Sequence, residues 1–331
     1  GFLGSGKTTL LKGLLAAPDL SDTAVLINEF GAVGLDHELV QSVAENTLLL
    51  DNGCLCCAIR GDLQGALRDL LSQRQSGQVP YFRRVVIETS GLADPAPIAY
   101  TLLAEPVLQH HFRLGGIIAT VDAVNGGGQL QRFPESVKQV AVADRLIVTK
   151  IDLADPVQIT TLHTSLRRLN KSASIVEVAD GDSQPPTLLT DDMYDVAGRE
   201  REISQWLAAE AGEDALIHDH ADHIHSFALT FHSPLDWTAF GIWMTMLLHS
   251  HGDNVLRIKG LLNVAGVPTP VLINGVQHIV HPPSHLPAWP SEARHSRIIF
   301  IVRDMDQVTI EASLTAFNKL ANPGAAPGQA A

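Results

Sequence analysis

The chain has 331 residues, 45% hydrophobic and 18% charged, with 23 basic against 36 acidic side chains for a net charge of −13. That deficit excludes a broad nucleic-acid or anionic-membrane surface, since phosphates need a basic footprint to displace counterions, and leaves room only for a small local basic site. The length predicts two domains, and three cysteines confined to Cys54-Leu55-Cys56-Cys57 exclude a disulfide framework and predict a reducing compartment.

The chain opens with Gly1-Phe2-Leu3-Gly4-Ser5-Gly6-Lys7-Thr8-Thr9, filling the pattern G-x-x-x-x-G-K-[ST], and a helical pattern follows at residues 10–15. Glycines there let backbone N–H groups curl around a β-phosphate, the lysine meets the β/γ charge, and the Thr8 hydroxyl suits Mg²⁺. Such a loop hangs from a strand, so a form extended by about ten residues before Gly1 is expected to melt higher, its inner strand pairing ladder groups.

From residue 23 to about 178, β-branched runs alternate with helical patterns. Strands are expected over residues 24–28, 47–50, 85–88, 117–122, 146–149 and 174–178, and a helix over 61–75 with Leu63, Leu67, Leu70 and Leu71 on one face. Continuous apolar strands between helices predict a mainly parallel sheet covered on both faces, with ligands at the strands' carboxyl ends. Asn28-Glu29-Phe30-Gly31 reads as a switch region.

Cys54, Cys56 and Cys57 are expected in a loop between the strand at 47–50 and the helix at 61–75. Three thiolates in four residues are a soft donor set for Zn²⁺ or another late divalent ion, and the open fourth position suits handing a metal on. Glu88 ends its strand before Thr89-Ser90-Gly91, placing a carboxylate where it could hold Mg²⁺ or orient water. The strand at 117–122 ends on Asp122 at the ligand-binding edge, which could place it near a nucleotide but reads first as a structural cap. Thr149-Lys150-Ile151-Asp152 approximates the N/T-K-x-D arrangement for guanine: the Asp152 carboxylate accepts from N1–H and the 2-amino group, and the Lys150 stem covers the base.

A polar segment at 179–195 and a helix at 198–210 come next. His218, His220, His223 and His225 then alternate with acids, either as imidazoles that gather metal or as a solvated interdomain loop. The order strand 226–231, helix 235–248, strands 255–264, 271–276 and 297–302, helix 306–320 predicts a small α+β domain. Trp237 and Trp243 read as core; His249, His251, His278, His281 and His285 read as helix-end or solvent-facing rather than metal ligands. The tail 322–331 is expected to be disordered. With no signal-like opening and no apolar stretch long enough to span a bilayer, a cytoplasmic protein is expected.

Taken together, GFLGSGKTTLL, NEFG at 28–31, CLCC at 54–57, ETSGLADP at 88–95 and TKID at 149–152 resemble the CobW/YjiA family of P-loop GTPases. LRIKGLLNVAG (256–266), INGVQHIVHPP (273–283) and SRIIFIVRD (296–304) resemble its C-terminal domain. The resemblance implies a SIMIBI-type P-loop NTPase domain over 1–214, a His-rich linker over 215–225, a C-terminal α+β domain over 226–321 and the tail. It also implies that Gly4, Ser5, Gly6, Lys7, Thr8 and Thr9 hold GTP and Mg²⁺, that Thr149, Lys150 and Asp152 hold guanine, and that Cys54, Cys56 and Cys57 carry Zn²⁺ or Co²⁺. Lys7, Thr8 and Glu88 would then be the catalytic set. Ala32 stands where many relatives carry an acid and Ile27 where some do, so those two carboxylates are missing from any accessory metal site there. The expected function is a GTP-hydrolysing metallochaperone that delivers metal to a client metalloprotein or metal-inserting enzyme, without nucleic-acid or membrane partners. The alternative is a metal buffer or sensor for which GTP is a conformational ligand; a small-molecule kinase would explain neither the guanine motif nor the cysteines.

Overall fold

The glycine-rich opening runs straight into helix α1 (Lys7–Leu15), because its N-cap residue, Gly6, takes φ 80°, a left-handed conformation that costs a side-chain-bearing residue about 1–2 kcal/mol. Its Leu11 and Leu15 pack on Val25, and Leu14 packs with Leu20, Ile147 and Leu188. Each such burial is worth about 1.5–3 kcal/mol. One helix is thus seated on two groups of strands. The computed structural model describes residues 1–28, 40–44, 47–50, 55–58, 63–179, 187–190, 224–290, 292 and 294–321. The expected helix at 198–210, the tail, Glu29, Phe30, Gly31, Ala32, Cys54, His218, His220 and His223 lie outside them.

The chain divides into two compact units: Gly1–Gln139, Arg145–Leu162 and Ile175–Met193 in one, Val140–Asp144, His163–Ser174 and Tyr194–Ala331 in the other. In the first, β1 (Thr23–Asn28), β2 (Val40–Ala44), β3 (Thr47–Leu50), β4 (Leu55–Ala58) and β5 (Arg84–Thr89) form a sheet in the order β2-β3-β4-β1-β5. The inner pairs β4–β1 and β1–β5 are parallel, and β2–β3 and β3–β4 are antiparallel. Alternation along β1 sets the layers: Ala24 and Leu26 pack with Leu63, Leu67 and Leu70 of α2 (Leu63–Ser76), while Val25 meets α1. Helices therefore cover both faces, as the apolar strands foretell.

After α3 (Pro95–Ala104) and α4 (Pro106–His111) comes β6 (Ile118–Asp122), which with β7 (Arg145–Thr149) and β8 (Ser174–Val178) forms a second sheet, in the order β6-β7-β8 with β6 and β7 parallel. Helices α5 (Gly126–Arg132), α6 (Pro134–Val142), α7 (Pro156–Leu169) and the short α8 (Thr187–Thr190) are the other α-helices described before residue 224, beside 3₁₀ turns at Pro18–Leu20 and Ile151–Leu153. Strands expected within one sheet thus fall in two.

In the second unit β9 (Ile224–Phe231), α9 (Trp237–His251), β10 (Val255–Leu262), β11 (Val271–Val276), β12 (Ile279–Val280), β13 (Ser284–His285), β14 (Ser296–Arg303) and α10 (Gln307–Ala321) follow in turn. Their antiparallel sheet has the order β12-β11-β10-β14-β9, with β13 against β11. Phe227, Leu229, Ile258, Ile298 and Phe300 pack against Phe240, Trp243, Met244 and Leu247 of α9 and Ile310 and Leu314 of α10. The Trp243 indole donates to Ser313 Oγ at 2.9 Å, satisfying the one polar atom of a ring only 2% exposed.

Trp237 departs from the expected core position and is 43% exposed. Asp236 accepts from Ala239 N at 2.8 Å and starts α9 there, two residues later than read. Trp237 is left one turn ahead of the buried stripe, its ring lying against Phe240. The exposed His249 and His251 end the same helix, as read. No helix among the described residues is long and apolar enough to cross a membrane.

Candidate nucleotide and metal site

The sheet order brings the ends of β5, β6 and β7 to the glycine-rich loop. Gly4 and Gly6 take φ 71° and 80°, curling the backbone ahead of α1, whose first-turn N–H groups have no intrahelical acceptors and so favour an anion. The loop is held from two sides: Ser5 Oγ bonds Phe2 O at 2.7 Å and Thr120 Oγ1 of β6 at 2.6 Å, and Thr149 Oγ1 of β7 donates to Ser5 O at 3.0 Å. Lys7 Nζ donates to Phe2 O at 3.1 Å, which folds its ammonium back over the loop.

Thr8 and Glu88, 80 residues apart, meet because β5 ends beside the start of α1. Thr8 Oγ1 donates to Glu88 Oε1 at 2.5 Å. Glu88 is 7% exposed, and its Oε2 has no partner among the described residues. A buried carboxylate oxygen without a donor is costly. A hydroxyl and a carboxylate beside a phosphate loop form a hard oxygen donor set that fits Mg²⁺, and these two residues would hold it. Three residues on, a Cβ on Gly91 would lie 2.6 Å from Leu3 N, so only glycine lets the β5 loop approach the phosphate loop this closely.

A residue that motif reading passes over supports that approach. Gln139 of α6 is buried and donates through Nε2 to Gly91 O and Ala93 O, both at 3.0 Å, while Lys138 bonds the helix-capping Asp94 at 2.9 Å. Nothing in the local sequence distinguishes Gln139; only the helix placement does. Gln139→Leu is expected to lower single-turnover GTP hydrolysis about tenfold with GTP affinity within about twofold, since it loosens the Gly91 loop that packs on the glycine-rich loop and leaves the loop of residues 1–6 itself intact. An unchanged single-turnover rate would remove Gln139 from the machinery.

At the T-K-x-D turn, Lys150 takes φ 58° and Asp152 sits exposed on the 3₁₀ turn Ile151–Leu153. Lys150 Nζ donates to Gly4 O at 2.8 Å and to Asp122 Oδ2 at 2.7 Å. Asp122 does more than cap its turn. It does cap, accepting from Val124 N at 2.8 Å and Asn125 N at 3.0 Å, and it also pairs with Lys150. Burial would raise its pKa, but the Lys150 and Asn125 hydrogen bonds outweigh burial and hold it below the usual aspartate range.

The cysteine motif differs from its reading. Cys56 and Cys57 lie in strand β4 rather than in a loop, in register with Val25 and Leu26 of β1 on one side and with Leu48 and Thr47 of β3 on the other. The physical reason is ladder completion: β1 is an inner strand with two edges to pair, and four residues too short to show a period supply the second. Across the sheet, rows of partners run Cys57–Leu26–Ile87 and Ala58–Ile27–Glu88. The backbones of β4 and β5 are therefore about 10 Å apart, two strand spacings. His225 lies exposed in β9, opposite Val302. His278 hydrogen-bonds Leu248 O at 3.1 Å and Asp253 at 3.0 Å, while His281 is 3% exposed and so does not face solvent as read. Strand β11 carries it inward, since its N–H donates to Asn274 O beside the central strand. Among the described residues no group of three or more His, Cys, Asp or Glu could hold a metal.

A phosphate loop with a Thr–Glu pair at one end and a T-K-x-D turn at the other, on an α/β scaffold, defines a P-loop GTPase. Residues 1–177 match the CobW/HypB/UreG nucleotide-binding domain, and residues 224–318 the cobalamin synthesis protein cobW C-terminal domain. The chain belongs to the CobW/YjiA family of P-loop GTPases. It is 34% identical to the zinc chaperone YjiA of Escherichia coli (strain K12) over 319 residues, covering 96% of this chain and 97% of that one. It is 27% identical to the zinc-regulated GTPase metalloprotein activator 1 of Schizosaccharomyces pombe, covering 93% and 82%. The crystal structure of Zn(II)-bound YjiA GTPase from E. coli superposes with a TM-score of 0.74 at 32% identity, covering 96% of each chain.

Proposed function

We propose that this GTPase is a zinc metallochaperone, with cobalt as the alternative cargo, that loads metal on Cys54, Cys56 and Cys57 and delivers it to a client metalloprotein or metal-inserting enzyme when GTP is hydrolysed. The observation that carries the reading is the strand order β4-β1-β5: the strand holding Cys56 and Cys57 and the strand ending at Glu88 flank one shared strand. A rearrangement at either end is transmitted through a single ladder, and couplings of about 1–3 kcal/mol between sites are ordinary. The names of the zinc chaperone and zinc-regulated activator relatives support zinc as cargo. The two family matches support a division into a GTPase domain, 1–214, a His-rich linker, 215–225, and a C-terminal domain, 226–321.

In this mechanism water attacks the γ-phosphorus, the bond to the β–γ bridging oxygen breaks, and GDP and phosphate leave. Mg²⁺, which Thr8 and Glu88 would hold, would supply neutralisation of phosphate charge when bound. Lys7 neutralises charge on the transferring group, Thr8 and Glu88 fix the oxygen donors, and Gly91 lets its loop close over the γ-phosphate. Asp152 accepts guanine's N1–H and 2-amino protons; with adenine those acceptors go unmet, at about 2–5 kcal/mol.

Cys56→Ala is the test: zinc stoichiometry by metal analysis is expected to fall below one, and zinc stimulation of GTP turnover to disappear. Stoichiometric zinc with undiminished stimulation would refute the coupling. Client dependence of single-turnover hydrolysis separates a chaperone from a buffer, whose rate ignores the apo client.

A further inference from the structure

We propose that Asp122 is a positioning residue for the guanine nucleotide: its carboxylate holds the Lys150 ammonium against the Gly4 carbonyl, locking the base-reading turn to the phosphate loop. The proposal rests on the reading of Lys150 and Asp152 as base contacts.

The two carboxylate oxygens divide the work. Oδ1 accepts from Val124 N and Asn125 N, which is all that a turn cap requires. Oδ2 accepts from Asn125 Nδ2 at 3.1 Å and from Lys150 Nζ at 2.7 Å. The Asp122 side chain is 2% exposed, so its negative charge is worth keeping only if something charged answers it. Asp122 is also fixed in place, since β6 and β7 pair Asp122 with Thr149 and Ala123 N donates to Thr149 O at 2.9 Å. The lysine is correspondingly constrained. Its left-handed φ of 58° is uncommon for a residue with a side chain, and it reaches the two acceptors, Gly4 O and Asp122 Oδ2, from that conformation.

The consequence is geometric. Gly4 belongs to the turn that cradles phosphate, and Lys150 stands two residues before Asp152. A single ammonium ties them, and Asp122 keeps the ammonium from swinging into solvent when the site is empty. The base pocket is then pre-formed, and nucleotide binding does not meet the cost of ordering that turn. Glu88, Thr8 and Gln139 take no part, so the chemical step should be insensitive.

Asp122→Asn keeps the shape and the Oδ1 cap while removing the charge. Binding of a fluorescent N-methylanthraniloyl-GTP is expected to weaken about tenfold, with the KM for GTP rising by the same factor and kcat staying within about twofold. In a Lys150→Gln background the same substitution should add no further loss. Asp122→Ser, which can still cap Val124 but cannot reach Lys150, should reproduce the tenfold loss and serves if the Asn variant does not fold. Unchanged affinity in a folded variant, losses that add fully to those of Lys150→Gln, or kcat falling with KM unaltered would each overturn the proposal. Competition of the fluorescent nucleotide by ATP in the unsubstituted protein separates the two claims. Equal competition by ATP and GTP defeats the base-reading assignment, whereas preference for GTP with a silent Asp122→Asn defeats this proposal alone.

Discussion

Lys7→Ala is expected to lower kcat/KM for GTP by about three orders of magnitude, roughly 4 kcal/mol of transition-state stabilisation, while leaving the melting temperature within about 2 °C. The loss is large because the γ-phosphoryl group carries its charge through a loose transition state in which the protein supplies positioning and electrostatics alone. The fold is spared because the loop of residues 1–6 is held by Ser5 through Phe2 and Thr120, and by Thr149. Steady-state phosphate release with a thermal melt on the same sample checks both halves. A fall of less than tenfold would mean that the ammonium, which bonds Phe2 O at 3.1 Å, does not move onto the nucleotide.

Asp144→Ala is expected to be the most destabilising single substitution in the second unit, by about 3–5 kcal/mol, or roughly 10 °C in melting temperature. Asp144 bonds Arg257, which is 1% exposed, and takes Lys259 Nζ on the same oxygen at 3.0 Å. Both cations project from β10, a strand buried along its whole length, so removing the carboxylate leaves positive charge with little solvent to screen it. Replacing Arg257 and Lys259 with methionine alongside Asp144→Leu should recover most of the loss, because an apolar substitute avoids the desolvation that the ion pairs must overcome. Differential scanning calorimetry of the single and triple variants decides it; a loss under about 1 kcal/mol would mean that water reaches the cluster.

His281 adds a pH dependence to the same cluster. Burial, and secondarily Arg257, push its pKa down from 6.5 to about 4, against a smaller upward pull from Asp144. Its two ring nitrogens have no partner among the described residues. Because the unfolded chain takes up this proton first, the stability His281 contributes is complete above pH 6.5 and declines as the pH falls towards about 4, by roughly 3 kcal/mol in all. His281→Phe should flatten the melting temperature over that range, and an unaltered slope would assign the acid sensitivity to other groups.

The glycine-rich loop ahead of α1, the strand that carries Glu88 near its end and the turn after β7 could be located directly, since each is marked by a short local pattern of particular residue types. Periodicity likewise located α2 through Leu63, Leu67, Leu70 and Leu71, all buried. Strand β4 could not be read this way: four residues carry no detectable period, and Cys56 and Cys57 become strand residues only because β1 and β3 offer ladders on either side. Trp237 misled for the opposite reason, an apolar residue at the right spacing but one turn ahead of the core.

By itself the sequence determined the local patterns: a glycine-rich loop ahead of a helix, a carboxylate at a strand end, a T-K-x-D stretch and three clustered cysteines, each encoded within a few consecutive residues. The tertiary structure alone decided the pairings. Thr8 finds Glu88 across 80 residues, Lys150 finds Gly4 across 146 and Asp122 across 28, and Asp144 finds Arg257 across 113. Local propensity carries no information about such distant partners. They follow from strand order, which is set by backbone groups that must be paired once buried and by apolar faces that must be covered.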